Sequence, residues 1–353
     1  MAFYTKTQIE ECEAEELLSE LRKREGELYT DSKEKDSRPF ANVDSDSIYK
    51  ALIRTQKVIY GLDDRQEVYQ VSDPEVQKRA DTVVSLIDAR SIEDNGDGTS
   101  TIRTVPYKKE FDLCPSERFA EQPVAPHCSG FLVTEDIIAT AGHCINNHNL
   151  PKTRFVFGFR MIDDREARKV VPNENIFKGV SIVVSTEESS GADFALVKLD
   201  RPASNRPIAE IRRTGKIGDE DAVYVIGHPS GLPLKFASGA HVRNNSPASF
   251  FVANLDTYGG NSGSPVFNQK TGIVEGILVR GDTDFLNIDG CYRSNVCPTT
   301  GCNGEDVTRT TEFEQYVPRA SQPLSLTLES RVITLEETIR EIATDIKTIK
   351  SKI

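Results

Sequence analysis

Ser262 stands in a run of small residues at 256–265, "DTYGGNSGSP". Two glycines and Asn261 precede Ser262, and Gly263 and Pro265 follow it. A serine hydroxyl is a poor nucleophile at neutral pH. It attacks a carbonyl only when a base takes its proton and a further group orients that base. The chain has five histidines: His127, His143, His148, His228 and His241. His143 has distinctive company in "IIATAGHC", where an apolar strand ends in a small-residue turn that would hold an imidazole at a barrel edge. Cys144 follows it and Cys128 lies 16 residues upstream, so a Cys128–Cys144 bridge would pin that turn. Among many carboxylates, Asp193 in "SGADFALVKL" leaves a glycine turn and enters an apolar strand, where it can be buried and aimed. Serine, imidazole and carboxylate together would perform acyl transfer. Ser262 taken alone is equally well a residue of a tight turn.

The elements around these residues read as strands. "TVVSLIDARSI" is one, and "EDNGDGTS" after it is a hairpin turn whose Asn-Gly and Asp-Gly steps supply positive φ. A calcium loop in that turn would use Glu93, Asn95, Asp97 and Gly98, but its twelfth position is Thr104 rather than Glu, which excludes it. Further runs are "GFLVT", "IIATAG", "RFVFGFR", "VSIVVS", "FALVKL", "AVYVIG", "FFVANL" and "GIVEGILVR". Many short strands separated by Gly, Pro, Asn and Asp predict a mainly β architecture, a sandwich or a pair of barrels.

"TAGHC", "DFALVKL" and "GGNSGSP", in this order and at these separations, resemble the chymotrypsin/trypsin-like serine peptidases. The nearest branch is the bacterial trypsin-like and glutamyl-endopeptidase-like one. The likeness covers about residues 76–317. It implies two six-stranded Greek-key β-barrels with the site in the cleft between them. It also implies roles: His143 as base and then acid, Asp193 as its orienting partner, Ser262 as nucleophile, and the backbone N–H groups of Gly260 and Ser262 as oxyanion hole. The glycines are then expected to let the backbone approach substrate. Asn261 replaces the Asp that pairs with a new N-terminal ammonium in the pancreatic-type enzymes, so no such switch is expected. Asp256, six residues before Ser262, takes the place of the primary-pocket floor and implies cleavage after Arg or Lys. The strand "GILVRG" would form a pocket wall with Leu278, Arg280 and Gly281. Leu278 stands where glutamyl endopeptidases carry His, which argues against Glu specificity, and Arg280 is long enough to reach Asp256 and neutralise it. Cys114, Cys291, Cys297 and Cys302 would make two more bridges. A zinc site is the alternative, but no CxxC pair is present. No cofactor is implied. The rival to an active endopeptidase is a catalytically silent trypsin-like scaffold or binding module.

Composition sets the limits. With 353 residues, 37% hydrophobic and 28% charged, the chain can bury a sizeable core. A net charge of −12 argues against a generic nucleic-acid binder. No run of 18 apolar residues crosses a membrane. The acidic N-terminus has no apolar core of a signal peptide, which favours the cytoplasm, whereas six cysteines between 114 and 302 favour an oxidising compartment. His228 and His241 read as structural.

Residues 1–58 form a charged extension with Ile9, Leu17, Leu18, Leu21 and Leu28 at roughly helical spacing, either a helical pro-segment or docking arm, or a loose tail. The peptidase-like domain runs from 59 to 317, and 318–353 hold a linker and a helix. There Leu328, Leu335, Ile342 and Ile349 take heptad position d, and Val332, Ile339, Ile346 and Ile353 take position a. Arg331 would face Glu336 and Asp345 would face Lys350. Ile at both positions in the last two heptads favours a homotrimer or higher state through residues 328–353. A single amphipathic helix packed on its own domain is the other reading.

Overall fold

Strand β1 (Arg65–Glu67) lies at the start of the folded core, followed by helix α1 (Pro74–Ala80). The computed structural model describes residues 63–281, 284–298 and 300–319, residues 59–61, and scattered positions between 9 and 48. The heptad seam of 328–353 lies outside the described residues. The Asp73 side chain caps α1 by accepting the Glu75 N–H, Pro74 occupies its first turn, and Lys78 and Arg79 its last.

The first barrel is closed and six-stranded. Its strands are β2 (Val83–Asp88), β3 (Cys128–Thr134), β4 (Ile137–Thr140), β5 (Thr153–Phe157), β6 (Ile176–Glu187) and β7 (Asp193–Leu199). Around the barrel the order is β2-β3-β4-β7-β6-β5, all antiparallel. The run expected as one strand, "TVVSLIDARSI", breaks at Asp88, whose side chain accepts the Arg90 N–H and opens a 3₁₀ turn. The turn at 94–99 is as expected: Gly96 and Gly98 have φ of 77° and 88°, and the Asp94 and Asp97 side chains accept the backbone N–H groups of Gly96 and Thr99.

The second barrel comprises β8 (Ala222–Gly227), β9 (Lys235–Asn244), β10 (Phe250–Ala253), β11 (Pro265–Asn268), β12 (Val274–Arg280) and β13 (Glu305–Arg309). Its order is β8-β11-β12-β13-β10-β9, closed by β8 pairing with β9, and β1 adds to the outside of β9. Closure leaves the barrel strands themselves without free edges. Its interior holds Val223, Val225, Phe251, Leu255, Val266, Leu278 and Val307. A second cluster runs through both barrels, joining Phe131 and Leu196 of the first to Ile226, Ile277 and Phe313. The Phe194 and Phe313 rings meet there at 5.3 Å. That shared apolar contact fixes the cleft between the barrels.

Three disulfides are present: Cys128–Cys144, Cys114–Cys291 and Cys297–Cys302. In the extension, Ile9, Cys12, Leu17, Phe40, Val43 and Ile48 pack together, and the Arg24 guanidinium donates to the Val43 and Phe40 carbonyls. No helix among the described residues is long and apolar enough to cross a membrane.

Candidate active site

His143 sits in the 3₁₀ turn Gly142–Cys144, which leaves the end of β4. Asp193 opens β7, the strand paired with β4. The antiparallel register therefore sets the two side chains beside each other. His143 Nδ1 lies 2.7 Å from Asp193 Oδ2, while Asp193 Oδ1 accepts the N–H groups of Gly142 (2.6 Å) and His143 (3.2 Å). Burial acts to raise the Asp193 carboxyl, but the His143 imidazole and its N–H bonds outweigh it and hold the group below the ordinary carboxylate range. Gly142 admits no side chain, because a Cβ there would stand 2.3 Å from the Thr186 carbonyl and 3.0 Å from Asp193 Oδ1.

Ser262 comes from the second barrel, on the loop between β10 and β11. Its carbonyl accepts the Ser129 N–H (2.9 Å) and lies 3.7 Å from Cys144 Sγ, next in sequence to His143. Its Oγ lies 3.5 Å from the Val279 carbonyl. The loop is thus docked on the first barrel beside the histidine turn, which the Cys128–Cys144 bridge ties to β3. Gly260 and Gly263 bracket the serine with φ of 89° and 90°. Among the described residues, no backbone carbonyl takes the Gly260 N–H. Packing within the protein itself also requires the glycines. A Cβ at Gly260 would strike the His228 carbonyl (2.8 Å) and the Gly231 N (2.9 Å), and one at Gly263 the Ser129 carbonyl (2.0 Å). They allow the loop to pack on the protein itself.

Ser129 has no counterpart in the sequence reading. Its N–H holds the Ser262 carbonyl, its hydroxyl donates to the Gly260 carbonyl (2.9 Å), and the same oxygen accepts the His228 N–H (3.0 Å). The only signal for it is its place after Cys128 in "CSGFLV". Ser129→Ala leaves the Gly260 carbonyl and His228 N–H unpaired in a buried site, at about 1–3 kcal/mol. The expected result is a fall in kcat/KM of roughly 10- to 100-fold, with a melting temperature lowered by only a few degrees. Unchanged peptide hydrolysis would show that the hydroxyl does not hold the loop.

The pocket residues depart from expectation. Asp256 is 3% exposed, and its two oxygens accept the backbone N–H groups of Tyr60 (2.7 Å) and Asp64 (2.8 Å). Arg280 does not reach it. The Arg280 guanidinium donates to the Glu188 and Gly191 carbonyls and to Asp306, and stands 3.9 Å from Asp193 Oδ2. Leu278 is fully buried in the second barrel's interior rather than on a pocket wall. Gly281 lies against Glu305: a Cβ there would be 2.2 Å from Oε2. Glu305, which sequence reasoning missed, is fully buried and accepts a hydrogen bond from Thr257 Oγ1 (2.8 Å). Its carboxylate therefore touches both segments that flank Ser262, the 256–262 loop and the end of β12.

Burial, with Asp63 and Asp64 nearby, pushes the Asp256 carboxyl up to about 7 against the pull of the two N–H bonds. A carboxyl raised on folding binds its proton more tightly in the folded state. Its contribution is therefore present below pH about 4 and is lost as pH rises through about 7. The melting temperature of Asp256→Asn relative to wild type is expected to rise between pH 5 and pH 8. A constant difference across that range would refute the assignment.

His228 is buried, donates through Nδ1 to the Leu232 carbonyl (2.9 Å), and stacks on Phe159; burial pushes it down to about 3. The donor atoms of Cys128, His143 and Cys144 lie within 4.8 Å of one another, but the two sulfurs are bonded together and offer no thiolate to a metal.

Residues 128–277 match the family model described as trypsin-like peptidase domain. No curated protein matches the chain. A solved structure titled as Glu endopeptidase in complex with MPD is similar at 18% identity and a TM-score of 0.42, over 73% of this chain and 98% of that one. The span 128–277 carries His143, Asp193 and Ser262, and it belongs to the trypsin-like peptidase domain family.

Proposed function

We propose that the protein is a serine endopeptidase that cleaves peptide bonds through an acyl-enzyme. The observation that carries the reading is the 2.7 Å bond from His143 to a buried Asp193, on the turn against which the Ser262 loop docks. Asp193 fixes the imidazole with Nε2 free to act. His143 takes the Ser262 proton as Oγ attacks the scissile carbonyl. The N–H groups of Gly260 and Ser262 receive the developing oxyanion. The imidazolium then returns the proton to the leaving amine, and water repeats the sequence on the ester. Cleavage after Arg or Lys is retained as the specificity that the sequence resemblance implies.

A fluorophosphonate should label the chain at Ser262, located by mass spectrometry, and a peptide library should be cut after basic residues. Absence of label would favour the binding-module reading. A preference for acidic or large apolar P1 residues would sink the specificity alone. The heptads at 328–353 further assemble the chain as a trimer: sedimentation of the full chain should give three times the chain mass, and a monomer would overturn that assignment.

A further inference from the structure

The segment 59–67, which precedes the first barrel, is bound to the nucleophile loop at several points. Ile59 and Tyr60 pair in parallel with Val296 and Cys297, and Gly61 donates to the Cys297 carbonyl (2.8 Å). The Tyr60 hydroxyl accepts the Gly304 N–H (2.8 Å). At the other end, β1 pairs antiparallel with β9. Between these anchors the Tyr60 and Asp64 amides grip the two oxygens of Asp256. Two residues further along the loop, the Arg65 guanidinium lies 4.3 Å over the centre of the Tyr258 ring, and Ile59 shares Tyr258's apolar cluster. Both Arg65 and Tyr258 are buried. The loop that carries Gly260 and Ser262 is therefore held from the first barrel by Ser129 and, six residues before the serine, by this strap.

We propose that the 59–67 strap sets the geometry of the nucleophile loop, and that Asp256 is a positioning residue through which it acts rather than a group that touches substrate. Above pH about 7, where the Asp256 carboxyl is ionised, a carboxylate with both oxygens occupied by fixed backbone amides ties down two chain segments more rigidly than one neutral acceptor. Loss of that tie lets the loop relax, and small displacements of reacting groups cost large factors in rate. The inference rests on Ser262 being the nucleophile. It makes the strap a working part of the site, so that a cut between Tyr60 and Asp64 inactivates the enzyme.

The test uses the full chain with Asp256→Asn, Asp64→Pro and the double variant. Asn offers one acceptor and turns an amide N–H₂ on the other strap amide. Proline removes the Asp64 donor without touching the loop. Three readouts are compared with wild type: the rate of fluorophosphonate labelling, kcat/KM on peptides with Arg, Glu or Phe at P1, and hydrogen exchange of the 59–65 backbone. Each single variant should slow labelling about ten-fold or more, lower kcat/KM by a similar factor whatever the P1 residue, and speed exchange across 59–65. The double variant should be little worse than either single one, since both break one tie. A loss confined to Arg at P1 with unchanged labelling would return Asp256 to the pocket and overturn the proposal. Unchanged labelling and hydrolysis in both variants would also overturn it. If Asp256→Asn does not fold, Asp64→Pro decides by the same readouts. A wild-type chain that takes no label sinks the nucleophile assignment itself, a failure distinct from variants that label normally.

Discussion

Replacing Ser262 with alanine is expected to lower kcat by roughly 10⁶-fold, to the level that binding and the anion hole alone provide. The neighbouring hydroxyl cannot take over. Ser264 is fully buried, its N–H is bonded to the Asn261 carbonyl, and its oxygen faces the Asn261 side chain at 3.4 Å. His143→Ala should cost about as much, and the double variant no more than either, because nucleophile and base act as a unit. Single-turnover hydrolysis of a fluorogenic peptide measures all three. If Ser262→Ala keeps more than about one part in a hundred of the activity, the acyl-enzyme route is wrong. Since Ser262 is held through its backbone carbonyl, the alanine variant should keep the wild-type fold and melting temperature.

Asp193→Asn is expected to cost about 10⁴-fold in kcat/KM near neutral pH. The present geometry sharpens the reason. Asp193 accepts on both sides, from the imidazole through Oδ2 and from two backbone N–H groups through Oδ1. An asparagine has only one acceptor. If its oxygen keeps the Gly142 and His143 amides, its N–H₂ faces Nδ1, and the imidazole must carry its proton on Nε2, where it cannot serve as base. If the amide flips, two buried N–H groups lose their partner. Arg280, 3.9 Å away and braced by the 188 and 191 carbonyls, also favours a charged residue at 193. The carboxyl is depressed on folding, so its stabilising effect is present above pH about 4 and lost as pH falls through its lower folded value. Acid titration of the melting temperature should show that loss in wild type and lack it in the variant. Activity within ten-fold of wild type at pH 7 would rule out Asp193 as the orienting group.

The meeting of His143 and Asp193 was readable because it depends on short patterns. A histidine ending an apolar strand and an aspartate starting one carry their positions in four or five letters each, and the pairing of β4 with β7 does the rest. The pocket was not readable for the same reason. The fate of Asp256 is decided by Tyr60 and Asp64, which no periodicity links to a loop almost two hundred residues later. Leu278 lies on a strand buried on both faces, so alternation gives no sign of which side chains line a cleft. Arg280 could reach several carboxylates by length alone, and the backbone carbonyls of 188 and 191 select among them. Strand β9 escaped notice because "KFASGAHVRN" is built from small and polar residues. Its place comes from pairing with β8, β10 and β1 rather than from its own propensity.

Strand β13 closes the second barrel, and its Thr308 hydroxyl accepts the Asp193 N–H across the cleft (3.1 Å). Synthesis proceeds from the N-terminus, and domains fold as their strands become available. A nascent chain that has made His143 and Asp193, and even Ser262, still has an open second barrel and no Thr308 beside the aspartate. The ribosome must add the last strand before these groups are locked together. On the function proposed above, a nascent chain that stops short of residues 305–309 therefore lacks both the closed second barrel and the Thr308 bond that holds Asp193.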